Sequence, residues 1–523
     1  LLNQNLNKMG VISLDSYCRK TFPQSLRYYK PGQKVHQKFT VLGLDANPFV
    51  YTACSRAFEM GDYSTMLSEN KYTYEEKIQQ TFEYTWEEIS NVVNMVDSEE
   101  VYIAFDGPAP AAKCQEQRKR RYIRSLPSEN EFDTTNISTG TKFMHELCLY
   151  LQFKIQEANG WGRKVVFSGH TVPGEGEAKC MQYMRAFPLD KTMCIYGPDG
   201  DLIMLSLASP QDFYLFKIDH STRNDYERQY YTMWMKPIKQ QLKTTASIAD
   251  STKSFLFLSN FLGNDFCRRI EIFDLFINGI DDMNSYYKKL RYSIIYNGRL
   301  DVKCFTNLLR ELSNDEPKLL ANRRKHPFPL LEKHLTNGRL DFVNFRKEYY
   351  ETWVHISTEN GSIREMCHNY LDTIWWTWIY YTKKCPSFSH TYNYHYPPFC
   401  SDLYKYIHSW TIPKFKESIP RTPWQQLVAI LPPNRKHLLP VKYHHYFTGE
   451  CFPKLSDIVR NSQGKDEKYE TVWEIPTFTE KVEEVHTRKH ARNSVGTERV
   501  FLQSPDTFKV VTKWGKCKTV CSG

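Results

Sequence analysis

The chain has 523 residues, of which 41% are hydrophobic and 15% aromatic. That content supplies a sizeable core and excludes wholesale disorder. Lysine and arginine outnumber aspartate and glutamate by 69 to 59, a modest basic excess that accords with an anionic partner without demanding one. No apolar run approaches the ~18 residues of a membrane span, and the aromatic stretch 373–381 is far too short.

No signal peptide precedes the first predicted strand, and Met9-Gly10-Val11 reads more like a natural beginning than Leu1, which leaves residues 1–8 as an upstream extension, the start of a processed product or an expression remnant. The 14 cysteines are scattered singly, without a paired CxxC zinc pattern, and only Cys517 and Cys521 come near one another as a pair. Such usage predicts reduced thiols in a cytoplasmic or nuclear setting.

Residues 39–45 (FTVLGLD) predict a buried strand ending on Asp45. Apolar residues at helical spacing, among them Ile78, Phe82, Trp86, Ile89 and Val93, predict a helix over 75–96. A second strand is expected over 101–106 (VYIAFD), also ending on a carboxylate, Asp106. Helices follow at 111–121 and 141–156, strands at 164–168 and 192–196, and a helix from about Glu175 lies between those two strands. Strands alternating with helices imply an α/β fold: a largely parallel sheet with helices on both faces. Functional groups in such sheets gather beyond the carboxyl ends of the strands, where Asp45 and Asp106 are expected.

Seven acids stand out. Besides Asp45 and Asp106, Glu175 and Glu177 lie in Pro173-Gly174-Glu175-Gly176-Glu177, Asp199 and Asp201 flank Gly200, and Asp265 follows Gly263-Asn264. An isolated Asp after a strand is usually a cap or turn residue. The doublets resist that reading, because several carboxylates at one sheet edge repel unless cations neutralise them. Mg²⁺ suits such a site through its preference for hard oxygen ligands, and two such ions can serve phosphodiester hydrolysis.

Lys113, Gln117, Arg120 and Arg121 recur at i, i+4, i+7 and i+8, which places them on one helix face. Alone, this pattern reads as a solvated basic face or a localisation signal. Directly after a carboxylate-ended strand, it reads better as a phosphate pocket, since guanidinium forks match phosphate oxygens.

These segments together resemble the Xrn family of 5′→3′ exoribonucleases. The resemblance is carried by Leu44-Asp45-Ala46-Asn47, by AFDGPAP (104–110), by KCQEQRKRRY (113–122) and by STGTKFM (138–144). It continues through SGHTVPGEGEAK (168–179), YGPDGDLIML (196–205) and FLGNDF (261–266), and resumes over 370–403 and 427–446. Just over half of the chain is covered. The resemblance implies a PIN/flap-nuclease-like α/β core and a mostly helical second segment. It implies that the seven acids are catalytic and bind Mg²⁺ or Mn²⁺, as two ions, and that Lys113, Gln117, Arg120 and Arg121 bind a 5′-phosphate. The substrate implied is single-stranded RNA with a 5′-monophosphate, hydrolysed to nucleoside 5′-monophosphates.

Two departures accompany it. Tyr51 stands where the family usually has a histidine that stacks near the first nucleotide, and Phe388 and His390 stand in its PSW-type segment. All three are expected to stack on bases, since any π face serves. The expected organisation is a catalytic core over 1–270, a variable helical connection over 271–365, a segment walling the active site over 366–460, and a polar tail over 461–523. A flap-type DNA nuclease is the first alternative, although 265–283 lacks the helix-hairpin-helix spacing that such enzymes carry after the last acids. A structural subunit of an RNA-processing or transcription assembly is the second. Protein partners, decapping or transcription machinery among them, stay open.

Overall fold

The computed structural model describes residues 14–449, apart from 61–62, 64–71, 126–130, 220–228, 247–250, 274–278, 290–292, 323–328 and 360, with short pieces of chain beyond 451. Its centre is a seven-stranded sheet. The strands are β1 (Leu26–Tyr29), β2 (Lys38–Asp45), β3 (Asp97–Ala104), β4 (Lys164–Ser168), β5 (Thr192–Tyr196), β6 (Asp212–Asp219) and β7 (Gln229–Trp234). Their order is β1-β7-β6-β5-β2-β3-β4.

Val41, Leu42 and Leu44 of β2 have no exposure. A strand buried on both faces belongs in the middle of a parallel sheet, and β2 pairs in parallel with β3 on one side and β5 on the other. β4 and β6 extend the parallel set. β7 and β1 close one edge antiparallel. Because the chain runs from β2 outward in both directions, β2 marks the switch point at which such sheets open a crevice.

The helices are α1 (Leu14–Thr21), α2 (Asn47–Ala57), α3 (Tyr74–Met95), α4 (Ala111–Arg124), α5 (Lys142–Glu157), α6 (Gly176–Met184), α7 (Asp201–Ala208), α8 (Met235–Ala246) and α9 (Ser251–Ser259). After them come α10 (Gly279–Lys289), α11 (Val302–Ala321), α12 (Pro329–Lys333), α13 (Phe342–Glu348), α14 (Ser362–Thr382), α15 (Cys400–Tyr406) and α16 (Pro423–Ile430).

Strand alternation divides the core into two layers. Leu42, Leu44, Val101 and Ile103 pack with Phe49 of α2, Val92 and Val93 of α3, and Leu147 and Leu151 of α5. Val41, Tyr102, Met193 and Ile195 pack with Met181 and Met184 of α6 and Ile203 of α7. That second layer runs without a break through α9 and α11 into Trp376 of α14 and Leu403 of α15. A third cluster joins Cys114 of α4 to Leu427 and Ile430 of α16.

Local chemistry sets several boundaries. Thr73 and Glu76 form a capping box that starts α3, and the Thr141 hydroxyl accepts from Met144 N–H to start α5. At α15, the buried Glu316 carboxylate accepts from the amides of Cys400 and Ser401 at 2.6 and 2.9 Å, a helix N-terminus met by an anion. The strand expected over 101–106 spans Asp97–Ala104, so it stops two residues before Asp106. The Asp106 N–H donates to Asn47 Oδ1 at 2.9 Å and the Gly107 N–H to the Gly174 carbonyl at 2.9 Å, which draws the chain off the ladder.

Among the described residues, no helix is long and apolar enough to cross a membrane. The cysteines described there are free thiols, buried except for Cys385. In the polar tail, short antiparallel pairs link Val459–Ser462 with Thr471–Glu474, Thr507–Phe508 with Val520–Cys521, and Val511–Thr512 with Gly515–Lys516. Cys517 lies outside the described residues.

Candidate active site

The seven acids converge at the carboxyl edge of the sheet. Asp45 ends β2, Asp106 lies on the loop leaving β3, and Asp199 and Asp201 follow β5. Glu175 and Glu177 sit at the N-terminus of α6. Oxygens of Asp45, Asp106 and Glu177 lie within 4.8 Å of one another, as do oxygens of Asp199, Asp201 and Asp265. All but Asp106 and Asp265 are at least nine-tenths buried.

Close backbone approach builds this edge. Asp106 Oδ1 accepts from Gly176 N–H at 2.8 Å, so the loop after β3 is latched to the start of α6. A Cβ added to Gly176 would lie 2.4 Å from Asp45 Oδ1, and one added to Gly107 would collide with the Val172 carbonyl. Only glycine admits both approaches.

Lys113 lies inside the acid cluster. Its ammonium is 2.6 Å from Glu175 and 2.5 Å from Asp265, with almost no exposure. Two hydroxyls from α14 complete the wall: Tyr380 donates to Glu175 Oε2 and Tyr381 to Asp201 Oδ1, each at 2.9 Å. The buried Lys217 ammonium reaches the Asp199 carbonyl at 3.2 Å and Asp15 of α1 at 3.0 Å.

The charges are frustrated. Burial, reinforced by Asp106, Asp199 and Glu175, holds the Asp45 carboxyl well above the usual carboxylate range. Burial also raises Glu177 and Asp201 well above theirs, with Glu175 adding at the first and Asp199 at the second. Asp199 is pushed up by burial to about 6, with Lys113 countering and Asp265 reinforcing. Lys113 is itself held well above its ordinary value: burial alone would lower it, and Asp265 and Glu175 outweigh that.

Asp45 Oδ1, Asp199 Oδ2 and Asp201 Oδ2 are buried and have no hydrogen-bond partner among the described residues. Unpaired buried oxygens are costly and rare. A divalent cation would satisfy them. Both trios offer carboxylate oxygen alone, a donor set that fits Mg²⁺ or Mn²⁺ rather than a thiophilic metal.

The rest of the predicted basic face lies further along α4. Gln117 is buried and its amide oxygen accepts from Gln426 Nε2 at 2.7 Å. Arg121 is buried, with two nitrogens on Ser138 Oγ at 3.0 and 3.2 Å and a weaker bond to the Ile137 carbonyl. At Arg120 burial opposes the charge, but Asp265 and Glu116 raise its pKa. Arg118, on the other side of the helix, donates to the Ala429 carbonyl at 2.7 Å and so ties α4 to α16.

The three predicted stacking residues differ in setting. Tyr51 on α2 is half-buried and its hydroxyl accepts from Arg124 at 2.9 Å. Phe388 is half-buried, and its carbonyl accepts from Ala111 N–H, the first residue of α4, at 2.8 Å. The His390 ring stacks on Trp376 at 5.8 Å, meets Phe415 edge-on, and shares a 3.0 Å hydrogen bond with Thr373. Asn47, Arg124, Tyr380 and Tyr381 have no role that the sequence alone assigns. Their signal was thin: a polar residue after a strand-ending Asp, a further arginine one turn beyond Arg120, and two tyrosines in an otherwise apolar stretch.

Fold and site together define an α/β core with paired carboxylate trios at its switch point and a basic helix beside them. Family comparison narrows this class. Residues 9–126 and 123–217 match the XRN 5′-3′ exonuclease N-terminus, and residues 329–503 match the Xrn1 helical domain. The chain belongs to the Xrn family. Human 5′-3′ exoribonuclease 1 is 24% identical over 512 residues, covering 75% of this chain and 30% of that protein. The 5′-3′ exoribonuclease 2 of Saccharomyces cerevisiae is 28% identical over 328 residues, covering 48% and 32%. The chain thus spans about a third of the length of these relatives. Among solved structures, the catalytic core of Rad2 in complex with DNA aligns with a TM-score of 0.34 and 12% identity, covering 81% of this chain and 99% of that one.

Proposed function

We propose that this protein is a 5′→3′ exoribonuclease that removes nucleoside 5′-monophosphates from single-stranded RNA bearing a 5′-monophosphate. The observation that carries this reading is the adjacency of the two carboxylate trios to Lys113 at the head of α4. The relatives named as exoribonucleases support it.

In this reading Asp45, Asp106 and Glu177 hold one Mg²⁺ or Mn²⁺, and Asp199, Asp201 and Asp265 hold a second. Bound there, the ions supply Lewis-acid activation of water and neutralisation of the leaving oxygen. The chain's own residues do the positioning. Lys113 fixes Glu175 and Asp265, Tyr380 and Tyr381 orient Glu175 and Asp201, and Asn47 with Gly176 latches Asp106. Gln117, Arg120 and Arg121 seat the terminal phosphate. Phe388, whose carbonyl accepts from the first residue of the same helix, and Tyr51, bonded to Arg124 at its far end, are the rings proposed to stack on bases.

Water attacks the first internucleotide phosphorus and the bond to the 3′ oxygen breaks. The phosphorus stays with the shortened RNA, so each cycle regenerates the 5′-phosphate that α4 recognises. The test is incubation of 5′-phosphorylated RNA with wild type and Asp199→Ala at millimolar Mg²⁺. Mononucleotides from wild type, none from the variant and none with EDTA are expected. Wild-type turnover in Asp199→Ala would overturn the assignment.

A further inference from the structure

Arg124 closes the same face of α4, four residues beyond Arg120, and the function argued above leaves it unused. Its guanidinium stands over the Tyr51 ring, 5.1 Å from the centroid, and donates to the Tyr51 hydroxyl at 2.9 Å. Ring and hydroxyl together fix an otherwise mobile side chain at a half-buried position, so little entropy remains to be lost on binding a ligand. Ser138 fixes the buried Arg121 in the same way through two nitrogens.

The cations crowd one another. Burial above all brings the Arg121 pKa down to about 10; Tyr51 counters it, Arg124 and Arg120 add to it, and Asp106 counters it more weakly. At the Tyr51 phenol burial is outweighed by Arg124, Arg121 and Arg120, which bring its pKa down. Three guanidiniums therefore act on one phenolic oxygen, and neither Arg121 nor Arg124 has a carboxylate in ion-pair contact among the described residues. Bringing like charges together at a largely buried site is costly, and a dianion beside Arg121 and Arg124 would relieve it.

We propose that Arg124, clamped by Tyr51, is a further specificity-determining residue that contacts the 5′-terminal phosphate together with Arg120 and Arg121. This rests on the exoribonuclease reading and extends it. Tyr51 then serves as a positioning residue, giving a phenol to Arg124 as well as a ring to the first nucleotide. One guanidinium contact to a charged group is typically worth about 1.5–3 kcal/mol, which is roughly 10- to 150-fold.

The experiment is the ratio of kcat/KM for matched 5′-monophosphate and 5′-hydroxyl RNAs, measured on the full chain. Arg124→Gln should lower that ratio at least tenfold, and Arg124→Lys should restore part of it, since the charge returns without the fork. Tyr51→Phe keeps the ring and removes the hydroxyl. It should lower the ratio severalfold and add little to Arg124→Gln in the double variant. Affinity for a 5′-phosphorylated oligonucleotide in EDTA, with folding checked by thermal melting, gives the same comparison without turnover. A ratio and an affinity in Arg124→Gln equal to wild type would overturn the proposal. If Arg124→Gln fails to fold, an unchanged ratio in Tyr51→Phe would overturn it. A wild-type protein that degrades no RNA contradicts the exoribonuclease reading instead, and the EDTA binding comparison still decides the role of Arg124.

Discussion

The Tyr381 hydroxyl donates to Asp201 Oδ1 at 2.9 Å, joining residues 180 positions apart. Its neighbour Tyr380 makes the equivalent bond to Glu175. Two successive residues of α14 thus reach different acids, one in the second trio and one held by Lys113. The aromatic helix is part of the acid site's frame.

Tyr381→Phe should therefore leave the fold intact and loosen Asp201. Partners that orient a metal ligand are typically worth about 10–100-fold in metal affinity or activity. The expected outcome is a rise of that order in the Mg²⁺ concentration giving half-maximal cleavage. Tyr380→Phe should do less, because Lys113 still holds Glu175 at 2.6 Å. An unaltered Mg²⁺ titration for Tyr381→Phe would show that the hydroxyl is only packing.

Gly176→Ala places a methyl group 2.4 Å from Asp45 Oδ1 and 3.0 Å from the Ala104 carbonyl. Overpacking of this kind costs about 1–3 kcal/mol, and misplacing a reacting group by about 1 Å costs roughly 100-fold in rate. The melting temperature should fall by a few degrees while cleavage falls about 100-fold. Proportionate losses of the two would mean that the site tolerates the shift.

The metal requirement should depend on pH. Asp199 is pushed up by burial to about 6, so protons compete with a cation for its carboxylate below that value. At pH 5 only about a tenth of such a group is ionised, which predicts a roughly tenfold weaker apparent Mg²⁺ affinity than at pH 7. Titrating activity against Mg²⁺ at both pH values checks this. Equal midpoints would place the proton elsewhere.

Burial lowers His390 to about 4, against an ordinary value near 6.5. The folded ring stays neutral while the unfolded one takes a proton, so its contribution is complete above pH 6.5 and is lost as pH falls towards 4. The loss is about 3 kcal/mol at most. His390→Asn should flatten the fall in melting temperature over that window, and an identical slope would show that other groups set the acid limit.

Much of this was legible in sequence because strongly periodic or punctuated segments read locally. The acids beyond β2 and β5 and the helix face of Lys113, Gln117, Arg120 and Arg121 follow from spacing alone. Partners that arrive from distant chain did not read that way. Nothing local told Tyr380 and Tyr381 from their apolar neighbours, and only the fold carries α14 to α6 and α7. For the same reason the ion pairs of Lys113 with Glu175 and Asp265 could not be read from its helix face. The register of 101–106 also misled: Phe105 is fully buried, yet the strand ends at Ala104 because Asn47 captures the next amide but one.

An exonuclease that reads a 5′ phosphate proceeds towards the 3′ end and discriminates between 5′ termini. The most direct measurement follows 3′-labelled single-stranded RNAs carrying either a 5′-monophosphate or a 5′-hydroxyl, at millimolar Mg²⁺. Leaving charged donors unpaired costs about 2–5 kcal/mol, so the 5′-hydroxyl RNA should be degraded roughly 30-fold to several thousand-fold more slowly. Unlabelled 5′-mononucleotides should be released while the labelled RNA shortens from its 5′ end. Equal rates on the two ends, or internal fragments early in the time course, would show that the protein is not a 5′-phosphate-reading exonuclease.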